Sequence, residues 1–213
     1  MTHKTLVIDL DRCIGCFACE MACKQENNGP LGVHYNKVLS IGPMGKFPDL
    51  TQYFLPTVCQ HCKDAPCVKV CPTGATYQTE DGQVLVNKEK CIGCKMCANA
   101  CPYDVPVFNT EGRTSYFGDK QPLVVRPAKP HTERTPGKAE HCTLCTHRLA
   151  EGRLPACVEN CSTKALTLVD YDSKDPEVQA LIKRSICLSE EAGTQPKVRY
   201  ICSNMDFKSV KLK

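Results

Sequence analysis

The sequence predicts an α+β chain of two pseudo-symmetric modules, one continuous and one discontinuous, joined by long loops and small antiparallel hairpins. Three observations carry that prediction. Sixteen of the 18 cysteines fall into four groups of four, and in every group the last two cysteines are four residues apart. The stretch "LVIDLDRCIGCFACEMAC" aligns without gaps with "VLVNKEKCIGCKMCANAC", an internal repeat of apolar strand, polar turn and cysteine loop. Between the repeats, "GATYQTEDGQVLVN" alternates in character and breaks at Asp81-Gly82, a hairpin signal.

Taken in order, residues 1–30 supply a β-branched strand, the first group (Cys13, Cys16, Cys19, Cys23) and a short helix. Residues 31–55 are a connecting hairpin or loop. Residues 56–110 make the continuous module, with the second group (Cys59, Cys62, Cys67, Cys71), the hairpin and the third group (Cys91, Cys94, Cys97, Cys101). Residues 111–137 read as a surface insertion, because "TSYFGDKQPLVVRPAKPHTERTPGK" holds four prolines and mixed charge. Residues 138–170 bring the fourth group (Cys142, Cys145, Cys157, Cys161) and the strand "KALTLVDYD", and join residues 1–30 in the discontinuous module. Residues 171–213 form a C-terminal helix and strand extension, the helix capped by Asp175, opened by Pro176 and closed by Gly193.

Spacing selects the ligand of these cysteines. Cys91, Cys94 and Cys97 recur every third residue, so a short loop curls them around one inorganic centre. Four further helical residues rise about 6 Å, which carries Cys101 away from that centre and toward a neighbour. Two-cluster bacterial ferredoxins follow this rule: a C-x2-C-x2-C-x3-C-P run gives three thiolates to one [4Fe-4S] cubane and the fourth to the other. Each module is therefore bacterial-ferredoxin-like. The rule assigns Cys13, Cys16, Cys19 and Cys161 to one cluster, and Cys23, Cys142, Cys145 and Cys157 to a second. A third takes Cys59, Cys62, Cys67 and Cys101, and a fourth Cys71, Cys91, Cys94 and Cys97. Four-cysteine zinc sites also use C-x2-C pairs, but zinc ribbons pair two separated knuckles, and three-plus-one runs suit cubanes. Cysteines three apart on tight loops are poorly placed for disulfides.

Composition excludes other classes. The formal charge of +4 treats every cysteine as a thiol, whereas four cubanes with their thiolates, each −2, would carry the balance to about −4. No interleaving of arginine and aromatic residues points to nucleic acid. The N-terminus lacks the charged, apolar and small-residue regions of a signal peptide. No apolar run approaches the roughly 20 residues that cross a bilayer. There is no G-x-G-x-x-G after a strand, no phosphate loop and no nucleophile-base pair, so no catalytic residue is expected. Cys187 and Cys202 lie outside the groups and read as free buried cysteines. His61 and His141 read as hydrogen-bonding or surface residues, the sulfur count being complete. Ile14, Ile92, Val68 and Val158 are expected to exclude water beside the ligands.

The motifs "ACKQEN", "PCVKVCPTGA", "CIGCKMCANACPYDVP" and "RLAEGRLPACVENC", in this order and spacing, resemble the iron-sulfur electron-transfer subunit of the dimethyl sulfoxide reductase family of molybdenum or tungsten enzymes. The resemblance covers roughly residues 5 to 170. It implies a wire of four [4Fe-4S] clusters, with molybdopterin only in a catalytic partner subunit and a membrane anchor or soluble carrier as second partner. The cluster of Cys13, Cys16, Cys19 and Cys161 would then lie nearest the catalytic subunit, and that of Cys71, Cys91, Cys94 and Cys97 at the far end. Ser162 stands where many relatives place proline, and the 40 residues between Cys101 and Cys142 exceed the compact relatives, suggesting a loop that embraces the catalytic subunit. Alternatives are a polyferredoxin-like subunit of a hydrogenase, a free carrier, or a structural zinc protein. The plain location is cytoplasmic, with export in the folded state beside a signal-bearing partner as the alternative. An integral membrane protein is not expected.

Overall fold

The computed structural model describes residues 3–29, 32–109, 135–204 and 210. Nearly all of the predicted insertion lies outside the described residues. Strand β1 (Lys4–Asp9) is a continuous apolar run because both its faces are covered. It is the centre of a three-stranded sheet, antiparallel to β8 (Leu166–Asp170) with Leu6 opposite Leu168, and parallel to β9 (Arg199–Ile201) with Ile8 opposite Tyr200. Leu6 and Ile8 enter the main core with Leu10, Leu55, Val58, Leu188 and Tyr200. Val7 points the other way, onto Val169, Ile201 and the Val178 and Leu181 side chains of helix α6 (Pro176–Arg184).

Among the described residues, two hairpins and one further antiparallel pair add to this sheet. The longest pairs β2 (Lys37–Lys46) with β3 (Asp49–Thr57), Leu39 facing Leu55. Its base is anchored by buried Val38, Tyr53 and Leu55, while its outer half stands in solvent, Phe47 being 89% exposed. The hairpin predicted around Asp81-Gly82 forms from β4 (Thr76–Gln78) and β5 (Val84–Val86). The last pair, β6 (Val107–Phe108) and β7 (Ala139–Glu140), bridges the ends of the insertion.

The helices are short because their work is to space cysteines. These are α1 (Ala18–Glu26), α2 (Pro66–Lys69), α3 (Met96–Ala100), α4 (Thr146–Ala150) and α5 (Ala156–Glu159). In α1, α2, α3 and α5 the third cysteine of a group lies in the helix and the fourth follows one turn later. Helix α1 packs on α5, and α2 on α3. Among the described residues no helix is long and apolar enough to cross a membrane.

The C-terminal helix is shorter than expected. Asp175 caps it by accepting the Glu177 N–H at 2.9 Å, and Pro176 opens it, but it ends at Arg184. Gly193 closes a separate 3-10 turn, Glu190–Ala192. The cause is tertiary: Ile186 and Tyr200 exchange backbone hydrogen bonds at 2.8 Å, and buried Leu188 follows, so the chain leaves the helix to reach β9. The segment before β9 also straps the second cysteine group, since Lys63 N–H, Asp64 N–H and Lys197 N–H bond to Gln195, Thr194 and Gln60 carbonyls.

Candidate metal centres

The four C-x-x-C loops share one backbone device. The third residue of each has positive φ: Gly15 at 66°, His61 at 43°, Gly93 at 71° and Leu144 at 55°. At two of them only glycine fits, because a Cβ on Gly15 would lie 2.5 Å from the Phe54 ring and one on Gly93 would strike the Gly137 carbonyl oxygen. At the others a side chain is kept although a left-handed conformation costs roughly 1–2 kcal/mol, since His61 and Leu144 are both buried in the interior. The turn aims an N–H at the loop's first sulfur. Leu144 N–H lies 3.4 Å from Cys142 Sγ, and the N–H groups of Gly15 and His61 serve Cys13 and Cys59 in the same way.

These loops gather cysteines from different groups. One small cavity is lined by Cys13, Cys16, Cys19 and Cys161, with Ile14, Val38 and Leu166. A second is lined by Cys142, Cys145, Cys157 and Cys23, and a third by Cys59, Cys62, Cys67 and Cys101. Cys71, Cys91 and Cys97 meet in one apolar group with Ala75 and Ala139. Cys94 stands exposed at the rim of the same loop. The sets also adjoin in series: Cys157 lies within electrostatic reach of Cys19, Cys59 of Cys142, and Cys67 of Cys97. Cys16 and Cys94, in the first and last sets, are exposed, and the other grouped cysteines are buried or half-buried.

The electrostatics separate two kinds of thiol. Burial, reinforced by neighbouring cysteines, pushes Cys23, Cys59 and Cys157 well above the ordinary thiol range and takes Cys67 and Cys142 up to about 12. At Cys71 burial acts in the same sense but is overcome by donors: the Thr76 N–H at 3.4 Å, the Thr73 side chain and backbone, and the Ala75 N–H bring it down to about 7. Cys161 repeats the pattern, lowered against its burial by the Leu166, Thr163 and Ala165 donors, with Ala165 N–H at 3.2 Å.

Such sites fit an iron-sulfur cluster better than a lone ion. The thiols stand around cavity walls, and among the described residues no three His, Cys, Asp or Glu side chains converge on a single-ion site. Apolar walls and backbone N–H groups directed at sulfur are what stabilises a buried anionic cluster. Burying thiolates without a cation would be costly, which is why the buried thiols remain neutral until metal displaces their protons.

Several sequence expectations need correction or addition. Ile14 and Ile92 do not seal the ligands, being 64% and 65% exposed; the second position of each CIGC loop faces outward while the flanking cysteines turn in. Val158 is buried and Val68 half-buried. His61 and His141 are buried and hydrogen-bonded, His61 Nδ1 accepting from Val84 N–H at 3.0 Å and His141 Nδ1 bonding the Cys142 carbonyl at 2.8 Å. Burial holds both neutral, with the His61 pKa down at about 3. Cys187 and Cys202 are half-buried, and Cys187 Sγ touches the Arg199 guanidinium.

Sequence reasoning missed the polar frame. Arg148, 3% exposed, donates to Glu26 at 2.9 Å, to Glu159, and to the Leu154 carbonyl at 2.6 Å. Tyr103 Oη and Thr194 Oγ1 are 2.6 Å apart beside Cys62. Asn27 Nδ2 donates to the Cys23 carbonyl at 2.9 Å and reaches Cys23 Sγ at 3.6 Å. The only linear signal was the asparagine four residues after Cys23, a spacing repeated by Asn160 after Ala156.

Comparison with known proteins gives consistent matches. A family described as a 4Fe-4S dicluster domain matches residues 50–116 and 126–171, and one described as a 4Fe-4S binding domain matches residues 10–29. A Halobacterium salinarum protein assigned as a dimethyl sulfoxide reductase iron-sulfur subunit is 42% identical, over 100% of this chain and 85% of its own. The arsenate respiratory reductase iron-sulfur subunit of Shewanella sp. (strain ANA-3) is 40% identical over 93% of this chain and 95% of its own. A selenate reductase subunit from Mesobacillus selenatarsenatis is 39% identical over 92% of this chain and 70% of its own.

Proposed function

Because the chain belongs to the family of iron-sulfur electron-transfer subunits of dimethyl sulfoxide reductase-type molybdenum and tungsten oxidoreductases, we propose that its grouped cysteines hold four [4Fe-4S] clusters in series. The order is Cys13, Cys16, Cys19, Cys161; then Cys23, Cys142, Cys145, Cys157; then Cys59, Cys62, Cys67, Cys101; then Cys71, Cys91, Cys94, Cys97. Residues 1–30 with 138–170 act as one ferredoxin-like module and residues 56–110 as its pseudo-symmetric counterpart. The observation that carries this reading is the head-to-tail adjacency of the four cysteine sets, with an exposed cysteine in the first and last.

Each bound cluster supplies one-electron redox chemistry, and the protein supplies spacing, dryness and hydrogen bonds. The buried middle sets keep the path from solvent. At one end exposed Ile14 and Phe17 line the cavity with Cys16, and at the other the exposed Ile92 and Met96 lie within two residues of Cys94 in the chain. Apolar side chains rimming a redox centre suit partner docking. The partner at the first end is a bis-molybdopterin catalytic subunit, and at the other a membrane quinone-linked subunit or soluble carrier. The chain has no active site of its own in this reading.

The test is anaerobic purification of the intact complex with iron, sulfide, molybdenum, tungsten and zinc analysis. About sixteen irons per copy of this chain, as four cubanes beyond those of the partner, with molybdenum or tungsten, is the expected result. Iron without either metal would favour a hydrogenase subunit or free carrier, and zinc without iron would overturn the reading.

A further inference from the structure

Asn36 is 1% exposed, and its carboxamide finds no oxygen or nitrogen partner, only the sulfur of Cys19. A buried amide with so few partners is poorly satisfied, and its remaining positions call for a group that is not protein. Its surroundings name that group. Asn36 lines the cavity of Cys23, Cys142, Cys145 and Cys157, and its amide also faces Cys19 of the neighbouring set. Cys19 and Cys23 are one turn apart on α1, so Asn36 sits where the first two sets come closest.

Its placement is fixed from several sides. Lys24 Nζ holds the Val33 carbonyl at 2.8 Å, Glu20 accepts the Val38 N–H at 3.0 Å, and Tyr35 Oη donates to buried Glu140 at 2.7 Å. The first two bonds strap residues 33–38 along α1 and the third ties them to β7, leaving the Asn36 carboxamide without a protein oxygen or nitrogen partner. Asn27, on the same cavity, is already engaged with the Cys23 carbonyl and sulfur.

We propose that Asn36 is a positioning residue for electron transfer, donating its carboxamide N–H to sulfur of the centre held by Cys23, Cys142, Cys145 and Cys157 and so raising that centre's reduction potential. Reduction adds one electron and one negative charge to the centre, and an N–H dipole aimed at sulfur favours the more negative state. The inference rests on the four-cluster reading above.

The test is an EPR-monitored redox titration of the purified complex carrying Asn36→Leu, a substitution of similar volume without a donor, alongside its iron count. With iron retained, the midpoint of this centre falls while the centres of the 56–110 module keep theirs. Asn36→Thr, smaller and still a donor, gives a lesser fall and serves if the leucine variant loads poorly. Pulsed EPR of the complex labelled with 15N-asparagine shows a coupling to the reduced centre that Asn36→Leu removes, while the coupling of Asn27, which lies against Cys23 Sγ, stays. Unchanged potentials in a fully loaded variant, or the same asparagine couplings with and without Asn36, would overturn the inference and leave the four-cluster reading standing. A wild-type complex without iron would instead remove that reading.

Discussion

Arg148→Met should loosen one half of the molecule and spare the other. Arg148 joins three helices drawn from residues 1–30 and 138–170, because Glu26 ends α1, Arg148 lies in α4 and Glu159 ends α5. Its side chain is 4% exposed and that of Glu26 is 15% exposed, so this pair is effectively buried, while Glu159 is 48% exposed. Removing one partner of a buried ion pair costs about 3–5 kcal/mol, whereas the exposed Glu159 contact adds at most about 1 kcal/mol. His147 remains on Glu26 at 2.9 Å and offsets part of the loss, which places the net effect near 3 kcal/mol. At about 1.4 kcal/mol per decade, local opening of α1 from α5 rises roughly a hundredfold. The assay is iron release from the loaded protein under a chelator. On the proposed four-cluster reading, about half the iron, that held by Cys13–Cys23 and Cys142–Cys161, should escape in a phase accelerated by about two decades, with the remainder unchanged. Uniform release, or release at the wild-type rate, would refute the argument that this guanidinium holds these helices together.

Three further outcomes are expected. Burial works to raise the Glu26 pKa, but the bonds from His147 and Arg148 outweigh it and lower the net value. Its contribution to stability is therefore complete above about pH 4.5 and lost as pH falls through the depressed folded value; in Arg148→Met, acid melting between pH 5 and about 3 should flatten. Cys101→Ser should perturb the EPR signal of the centre with Cys59, Cys62 and Cys67, and Cys71→Ser that of the centre with Cys91, Cys94 and Cys97; the reverse pairing would refute the crossed assignment. Asp175→Ala removes the cap of α6 and should cost about 1 kcal/mol, seen as a lower denaturant midpoint with unchanged iron content.

What was legible in the sequence followed from local rules. The β1 run, the Asp81-Gly82 hairpin, the Asp175-Pro176 helix start and the helices carrying third cysteines all depend on a few adjacent residues. The structure lines one cavity with Cys161 and the first group and another with Cys23 and the fourth; the cysteine spacing had suggested crossed ligation, which the serine variants test. Long-range effects were invisible. Helix α6 stops at Arg184 because Ile186 bonds Tyr200, and no residue near Arg184 announces that partner. Ile14 and Ile92 look like core residues in sequence, yet the turn at the following glycine faces them outward. The Arg148 knot and Asn36 depend on residues from separate segments converging, for which linear spacing carries no sign.

The pairing of β1 with β8 also dictates when the protein can mature during synthesis. Residues 4–9 have no strand to join until residue 170 has been made, and 118 residues separate Cys23 from Cys142. At about 5–20 residues per second, a ribosome takes roughly 6 to 24 s to cover that interval. The thiols of residues 13–23 emerge early and wait, open to oxidation or to the wrong metal, and the second group is itself strapped only after residues 194–197 have been made. The first-made segment is thus completed only by strands that emerge after residue 165.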